Sequence, residues 1–233
     1  MGQLSLATRL IACKCDPDGG GEKAVEMISP RCILAAVRRD RLLRMLDDVP
    51  NGGVATIVAG AGSGKSMLLS DWMNAHGDLS CVPIDADPRS TDPNVFARTL
   101  ADAVDQRVDG FSERFTDLLT AGSGVPGRAF VARLVVAIEE LDDDLVIVVD
   151  DAQRPVVGGS LGLLDELVAR LPDNLRLFIA ARWDPQLTLH RLRLAGRLVE
   201  IRGSDLAFDL AETRSRVESI SGVVLDESTL AQL

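Results

Sequence analysis

The sequence predicts an α/β fold in which a parallel β-sheet is flanked by helices. Short β-branched or apolar segments alternate along the chain with longer segments whose apolar residues recur at helical spacing, a pattern typical of a parallel sheet wrapped by helices. Residues 145–149 are apolar at every position, as expected of a strand buried on both faces. The sequence has no apolar run near the ~20 residues that a membrane-spanning helix needs and no signal-peptide pattern in residues 1–15. We therefore expect a cytoplasmic protein that does not bind membranes.

Five segments are predicted to be strands, because each is short and rich in β-branched or other apolar residues. They are residues 54–58, 81–84, 145–149, 175–180 and 198–201. Pro83 cannot donate a ladder hydrogen bond, so it predicts that the second strand lies at a sheet edge. Helical spacing predicts helices over residues 31–46, 67–74, 93–108, 113–119, 130–141 and 161–171.

Composition excludes some classes of function. The net charge is −10, from 25 basic and 35 acidic residues, so we do not expect a large nucleic-acid-binding face. Two arginine clusters, at residues 38–44 and 191–197, are interpreted as solvated helix faces with salt bridges.

Of the four cysteines only Cys13 and Cys15 are close in sequence, and the two histidines are distant. Because zinc needs four well-placed ligands, we expect reduced thiols rather than a zinc site.

A glycine-rich loop follows the first predicted strand and precedes a predicted helix. Its sequence is AGAGSGKS, residues 59–66, which is the Walker A pattern with alanine in place of the first glycine. Glycines let backbone N–H groups approach phosphates without Cβ clashes, and the helix N-terminus adds positive charge. Lys65 is expected to reach the β- and γ-phosphates and Ser66 to ligate Mg²⁺. The predicted phosphate-binding residues are Gly60, Ala61, Gly62, Ser63, Gly64, Lys65, Ser66 and Met67.

Two acidic residues, Asp150 and Asp151, end the apolar strand at 145–149. This is the Walker B arrangement, in which Asp150 would hold Mg²⁺ and Asp151 would activate a water for attack on the γ-phosphate. A third site residue is Arg182, just after the strand at 175–180. We assign it a catalytic role as the γ-phosphate sensor, because positive charge there stabilises the transferring phosphoryl group. The alternative is an ordinary surface arginine.

These motifs and their order resemble the nucleotide-binding domain of STAND ATPases, and most closely the MalT-like branch of large LuxR-type transcriptional regulators. The similar segments lie between about residues 30 and 225 and include VRRDRLL at 37–43, the loop extended to Trp72, residues 146–151, LPDNLRL at 171–177, ARWDP at 181–185 and DLAF at 205–208. The resemblance implies an ASCE-type P-loop NTPase with strand order 5-1-4-3-2. It also implies that Val37 and Arg39 help to bind adenine.

The resemblance further implies an ATP/ADP switch that self-associates in the ATP state and is reset by hydrolysis. The proline- and glycine-rich segment at 16–21 predicts a flexible arm at 1–29. The resemblance implies the nucleotide-binding domain at 30–204 and, with a helical segment from Asp209 onward, the truncated beginning of a helical subdomain at 205–233. DNA contact would require a C-terminal domain that is absent from this sequence, so we expect either a fragment or an unusually short protein.

Two other functions fit a P-loop. One is an AAA-like motor ATPase, and the other is a kinase for a small molecule. The acid pair favours hydrolysis over transfer, because Asp151 offers a base for water.

Overall fold

The computed structural model describes residues 38–77, 79–85, 92–119, 127–152 and 160–221. The chain divides into two compact units. The larger unit spans residues 42–206, and the smaller combines residues 1–41 with 207–233. The predicted arm at 1–29 and residue Val37 lie outside the described residues.

The larger unit contains a five-stranded parallel sheet. Its strands are β1 (Val54–Val58), β2 (Ser80–Asp85), β3 (Leu145–Asp150), β4 (Leu175–Ala181) and β5 (Leu198–Arg202). They are ordered β2-β3-β4-β1-β5, and every neighbouring pair is parallel. Read from the other edge, this is the predicted order 5-1-4-3-2, so the predicted fold class is confirmed. The edge position of β2 agrees with Pro83, which has no N–H for a second neighbour.

The helices and their bounds complete the element order. They are α1 (Asp40–Asp47), α2 (Lys65–Ala75), α3 (Pro93–Asp105), a 3₁₀ turn (Ser112–Phe115), α4 (Thr116–Leu119), α5 (Arg128–Glu139), α6 (Ser160–Ala169), α7 (His190–Leu194), α8 (Gly203–Leu206) and α9 (Leu210–Ser221). The short helices α7 and α8 were not predicted from the sequence. The single helix predicted at 113–119 is a 3₁₀ turn that continues into α4.

Apolar side chains cover both faces of the sheet. In β3, Leu145, Ile147 and Val149 join the cluster that packs against α3, α5 and α6, whereas Val146 and Val148 join the cluster that includes α2. This alternation follows from the two-residue period of a strand. The resulting three-layer core fixes the carboxyl ends of the strands, from which the candidate site is built.

The smaller unit contains a helix start with reciprocal side-chain capping. The backbone N–H of Asp209 donates to Glu212 Oε2 at 3.0 Å, and the N–H of Glu212 donates to Asp209 Oδ1 at 2.8 Å. This arrangement is a capping box, which satisfies N–H groups at the start of a helix. The helix expected from Asp209 onward is therefore present over Leu210–Ser221, and residues 222–233 lie outside the described part of the chain.

In the part of the chain that the structure describes, no helix has both the length and the apolar content needed to cross a membrane.

Candidate nucleotide-binding site

Three loops meet at the carboxyl edge of the sheet because their strands are neighbours. β4 lies between β1 and β3, with Val58 opposite Ala181. The N–H of Ala59 donates to Ala181 O at 3.2 Å, and the N–H of Ala152 donates to Ala180 O at 3.0 Å. These bonds tie the loops after β1 and β3 to the end of β4. The glycine-rich loop, the acid pair and Arg182 therefore emerge side by side.

The glycine-rich loop has a backbone that needs glycine at two positions. Gly62 and Gly64 have φ of 78° and 85°, in the left-handed region, which side chains with a Cβ disfavour. Gly64 is the N-cap of α2. A Cβ built on Gly60 or Gly62 would meet no atom within 4 Å, so the loop borders open space. The first-turn N–H groups of a helix have no partners within the helix, which makes this end of α2 suitable for phosphate.

Lys65 is buried within the loop, where its side chain is held by hydrogen bonds to main-chain oxygens. Its Nζ donates to Ala59 O at 2.7 Å and to Gly60 O at 2.8 Å, and it lies 3.4 Å from Ser63 Oγ. Only 7% of the residue is exposed. A phosphate oxygen is a stronger acceptor than these carbonyls because it is charged. Lys65 can therefore exchange loop contacts for phosphate contacts by a rotation of its side chain.

The electrostatics of Lys65 reveal which charges share the site. Burial lowers the pKa of its ammonium group, Asp150 opposes this by raising it, Arg182 lowers it further and Asp151 raises it. Lys65 thus lies within electrostatic range of two carboxylates and of one other cation. The structure brings together the four charged residues that the sequence assigned to phosphate and water chemistry.

The acid pair is held by an unusual backbone conformation. Asp151 has φ of 61° and is the only non-glycine residue with positive φ among those described. Its N–H donates to Asp150 Oδ1 at 2.9 Å. Arg182 Nε lies 3.8 Å from Asp151 Oδ1, and both side chains are partly exposed. The turn after β3 therefore presents the Asp151 carboxylate beside the guanidinium group of Arg182.

The oxygen ligands available here fit Mg²⁺. Ser66 is exposed in the first turn of α2, and the Asp150 carboxylate is partly exposed at the end of β3. Mg²⁺ prefers hard oxygen ligands and commonly uses one or two protein groups together with substrate phosphates. Ser66 and Asp150 would hold the ion, and it would neutralise charge on the phosphate oxygens.

The predicted adenine contacts are only partly described. Arg39 lies in the smaller unit, where its guanidinium carbon is 6.0 Å from the centroid of the Phe208 ring. Val37 is outside the described residues. The adenine role of both residues stays a prediction.

One group of charged residues near the site was missed in the sequence. Arg202, at the end of β5, donates to Asp184 in the loop after β4 and to Glu200 Oε1 at 2.8 Å. Arg193 also donates to Glu200, at 3.0 Å. Burial raises the pKa of Glu200, but the hydrogen bonds from Arg193 and Arg202 outweigh it and hold the pKa below the usual range. Sequence spacing gave no signal for these pairs, because Asp184 and Arg202 are brought together only by the sheet order.

A model of the family described as "AAA domain" matches residues 50–187, more than half of the chain. The matched range includes the glycine-rich loop, the acid pair and Arg182.

The chain belongs to the AAA domain family.

Three solved structures with similar folds serve for comparison. Cdc6p from Pyrobaculum aerophilum is 18% identical, with a TM-score of 0.50 over 82% of this chain and 51% of that chain. Drosophila ORC bound to DNA is 13% identical, with a TM-score of 0.45 over 75% of this chain and 94% of that chain. C. elegans PCH-2 is 13% identical, with a TM-score of 0.35, over 85% and 53% respectively.

At this identity the likeness to Cdc6p concerns the fold alone, and the matched part of this chain spans about half the length of Cdc6p. Family and fold together make this an ATP-binding P-loop domain of the AAA type.

Proposed function

We propose that this domain binds Mg-ATP at the glycine-rich loop and hydrolyses it slowly, as the switch of a signal-responsive transcriptional regulator. The observation that carries the proposal is the convergence of Lys65, Asp150, Asp151 and Arg182. The family match supports the ATPase part. The regulatory part rests on the resemblance to the MalT-like STAND proteins described above.

Each site residue has a distinct task in this proposal. The N–H groups of the loop and of the first turn of α2 cradle the phosphates, and Lys65 bridges the β- and γ-phosphate oxygens. Asp151 accepts a proton from the attacking water, since its partly exposed carboxylate lies beside Arg182. The guanidinium group of Arg182 stabilises negative charge that develops on the γ-phosphate oxygens.

Replacing Asp151 with Asn tests the hydrolytic step. The amide cannot take a proton from water, so we expect kcat to fall about 100-fold or more with the dissociation constant for ATP nearly unchanged. Free phosphate release and equilibrium binding are the two measurements. Asp173→Asn is the matched control. Asp173 is 93% exposed and pairs with Arg197. The Arg197 carbonyl accepts a hydrogen bond from the N–H of Val54, the first residue of β1, so this ion pair lies at the edge of the sheet opposite the site. Turnover that survives Asp151→Asn intact would remove the proposed base.

The AAA family match also favours a second function, a continuously cycling motor ATPase. A switch should turn over slowly and associate with itself when ATP is bound, whereas a motor should hydrolyse rapidly without any inducer. Turnover and sedimentation, each measured with ATP and with ADP, separate the two. Phosphate found on an added small-molecule acceptor, rather than free in solution, would instead identify a kinase.

The remaining parts of the proposal follow from the resemblance. Val37 and Arg39 would contact adenine, and Arg39→Ala would then weaken ATP binding while leaving the affinity for inorganic triphosphate unchanged. DNA would be contacted by a further domain and not by this one.

A further inference from the structure

Arg202 links the two strands that flank β1. In the sheet order β4-β1-β5, Val58 lies opposite Ala181 on one side and opposite Arg202 on the other. Asp184 is three residues beyond the end of β4. The hydrogen bond from Arg202 to Asp184 therefore joins β5 to the loop after β4. It does so at the level of Val58, where β1 ends and the glycine-rich loop begins.

Two further acidic residues hold Arg202, one through its side chain and one through its backbone. Its Nη2 donates to Glu200 Oε1 at 2.8 Å, and its backbone N–H donates to Asp205 Oδ2 at 2.7 Å. Glu200 is in turn bound by Arg193. The hydrogen bond to Asp184 is the main cause that raises the pKa of Arg202 above its ordinary value. A side chain anchored in this way gives Asp184 a fixed partner.

The segment that Arg202 holds is the one that carries Arg182. Arg182 and Asp184 are separated by a single residue, Trp183, which is 67% exposed. Such a segment has little packing of its own to fix it. Arg182 Nε is 3.8 Å from Asp151 Oδ1, a spacing that a small loop movement would change.

We infer that Arg202 is a positioning residue for phosphate hydrolysis: through Asp184 it fixes the loop after β4 and so keeps the guanidinium group of Arg182 beside Asp151. This inference rests on the proposed function, and it assigns a role to a residue beyond the range matched by the AAA domain model. A misplaced catalytic group lowers the rate of the chemical step while leaving ground-state binding intact.

The experiment compares Arg202→Ala, Asp184→Ala and the double variant with wild type. We expect each single variant to lower kcat about tenfold and to change KM for ATP by less than about twofold. The double variant should match the singles, because both changes remove the same link. Arg202→Lys, which keeps a donor to Asp184, should recover part of the lost kcat.

Asp173→Ala is the matched control, since it removes an ion pair of 2.5 Å between Asp173 and Arg197 at the opposite edge of the sheet. It should leave kcat unchanged. Any of three results would overturn the inference: an equal loss of kcat in the control, kcat losses that multiply in the double variant, or an unchanged kcat in the single variants.

The fluorescence anisotropy decay of Trp183 gives a readout that needs no hydrolysis. Trp72, the other tryptophan, is fully buried, so added acrylamide selectively quenches Trp183 and identifies its contribution. Arg202→Ala and Asp184→Ala should increase the amplitude of local Trp183 motion, and Asp173→Ala should not. Unchanged motion would overturn the link even if wild type hydrolyses ATP. Increased motion in a protein without ATPase activity would uphold the link and refute the proposed function.

Discussion

At the scale of single residues, Asp151 combines a local strain with a proposed chemical role. A left-handed conformation is unfavourable for a side chain with a Cβ, yet Asp151 adopts φ of 61° at the end of β3. The sequence showed that an acid follows the strand, but it could not show this conformation, because Asp is compatible with both an ordinary turn and a left-handed residue. The strain places the carboxylate toward Arg182.

This strain predicts that Asp151→Gly is more stable than Asp151→Ala. Glycine accepts positive φ without a steric penalty but is more flexible when unfolded, so we expect a net difference of about 0.5–1 kcal/mol. Urea denaturation followed by circular dichroism measures it. At Asp142, which does not have positive φ, the order should reverse, with alanine the more stable. If alanine were also preferred at position 151, the conformation described for Asp151 would be wrong.

At the scale of elements, strands were predicted closely and helix ends less so. β1 has the predicted bounds, because its β-branched run is bordered by turn residues. α2 begins at Lys65 rather than at residue 67, since Gly64 caps it and Lys65 and Ser66 add no apolar signal. α7 is too short for a helical period to be recognised. The links between elements, such as Arg202 to Asp184, depend on sheet order and not on local pattern.

A polar contact between α1 and α2 yields a prediction at this scale. Trp72 is fully buried, and its Nε1 donates to Asp47 Oδ1 at 2.7 Å. Asp47→Ala leaves this donor without its acceptor, which should cost about 1–3 kcal/mol of unfolding free energy. Asp48→Ala, at the next and also exposed position, should change stability by less than about 0.5 kcal/mol. Equal effects from the two variants would show that the Trp72 contact does not stabilise the protein.

At the scale of the whole molecule, the sheet order and the P-loop ATPase class agree with what the sequence predicted, while the STAND and MalT-like assignment stays a proposal. The loop after β1, the acids after β3 and Arg182 after β4 could be placed together from sequence, because parallel strands deliver their carboxyl ends to one edge. The adenine contacts stay a prediction, since Val37 lies outside the described residues and Arg39 belongs to the smaller unit.

The most direct test of the account is a calorimetric titration of the wild-type protein and Lys65→Ala with Mg-ATP. We predict that wild type binds one nucleotide per chain and that Lys65→Ala weakens binding by about 10–100-fold, the effect of losing a charged hydrogen-bond donor to phosphate. Arg197→Ala, which removes a cation at the opposite edge of the sheet, should bind as wild type does. Equal affinity of wild type and Lys65→Ala for ATP would contradict the assignment of the glycine-rich loop as the nucleotide site.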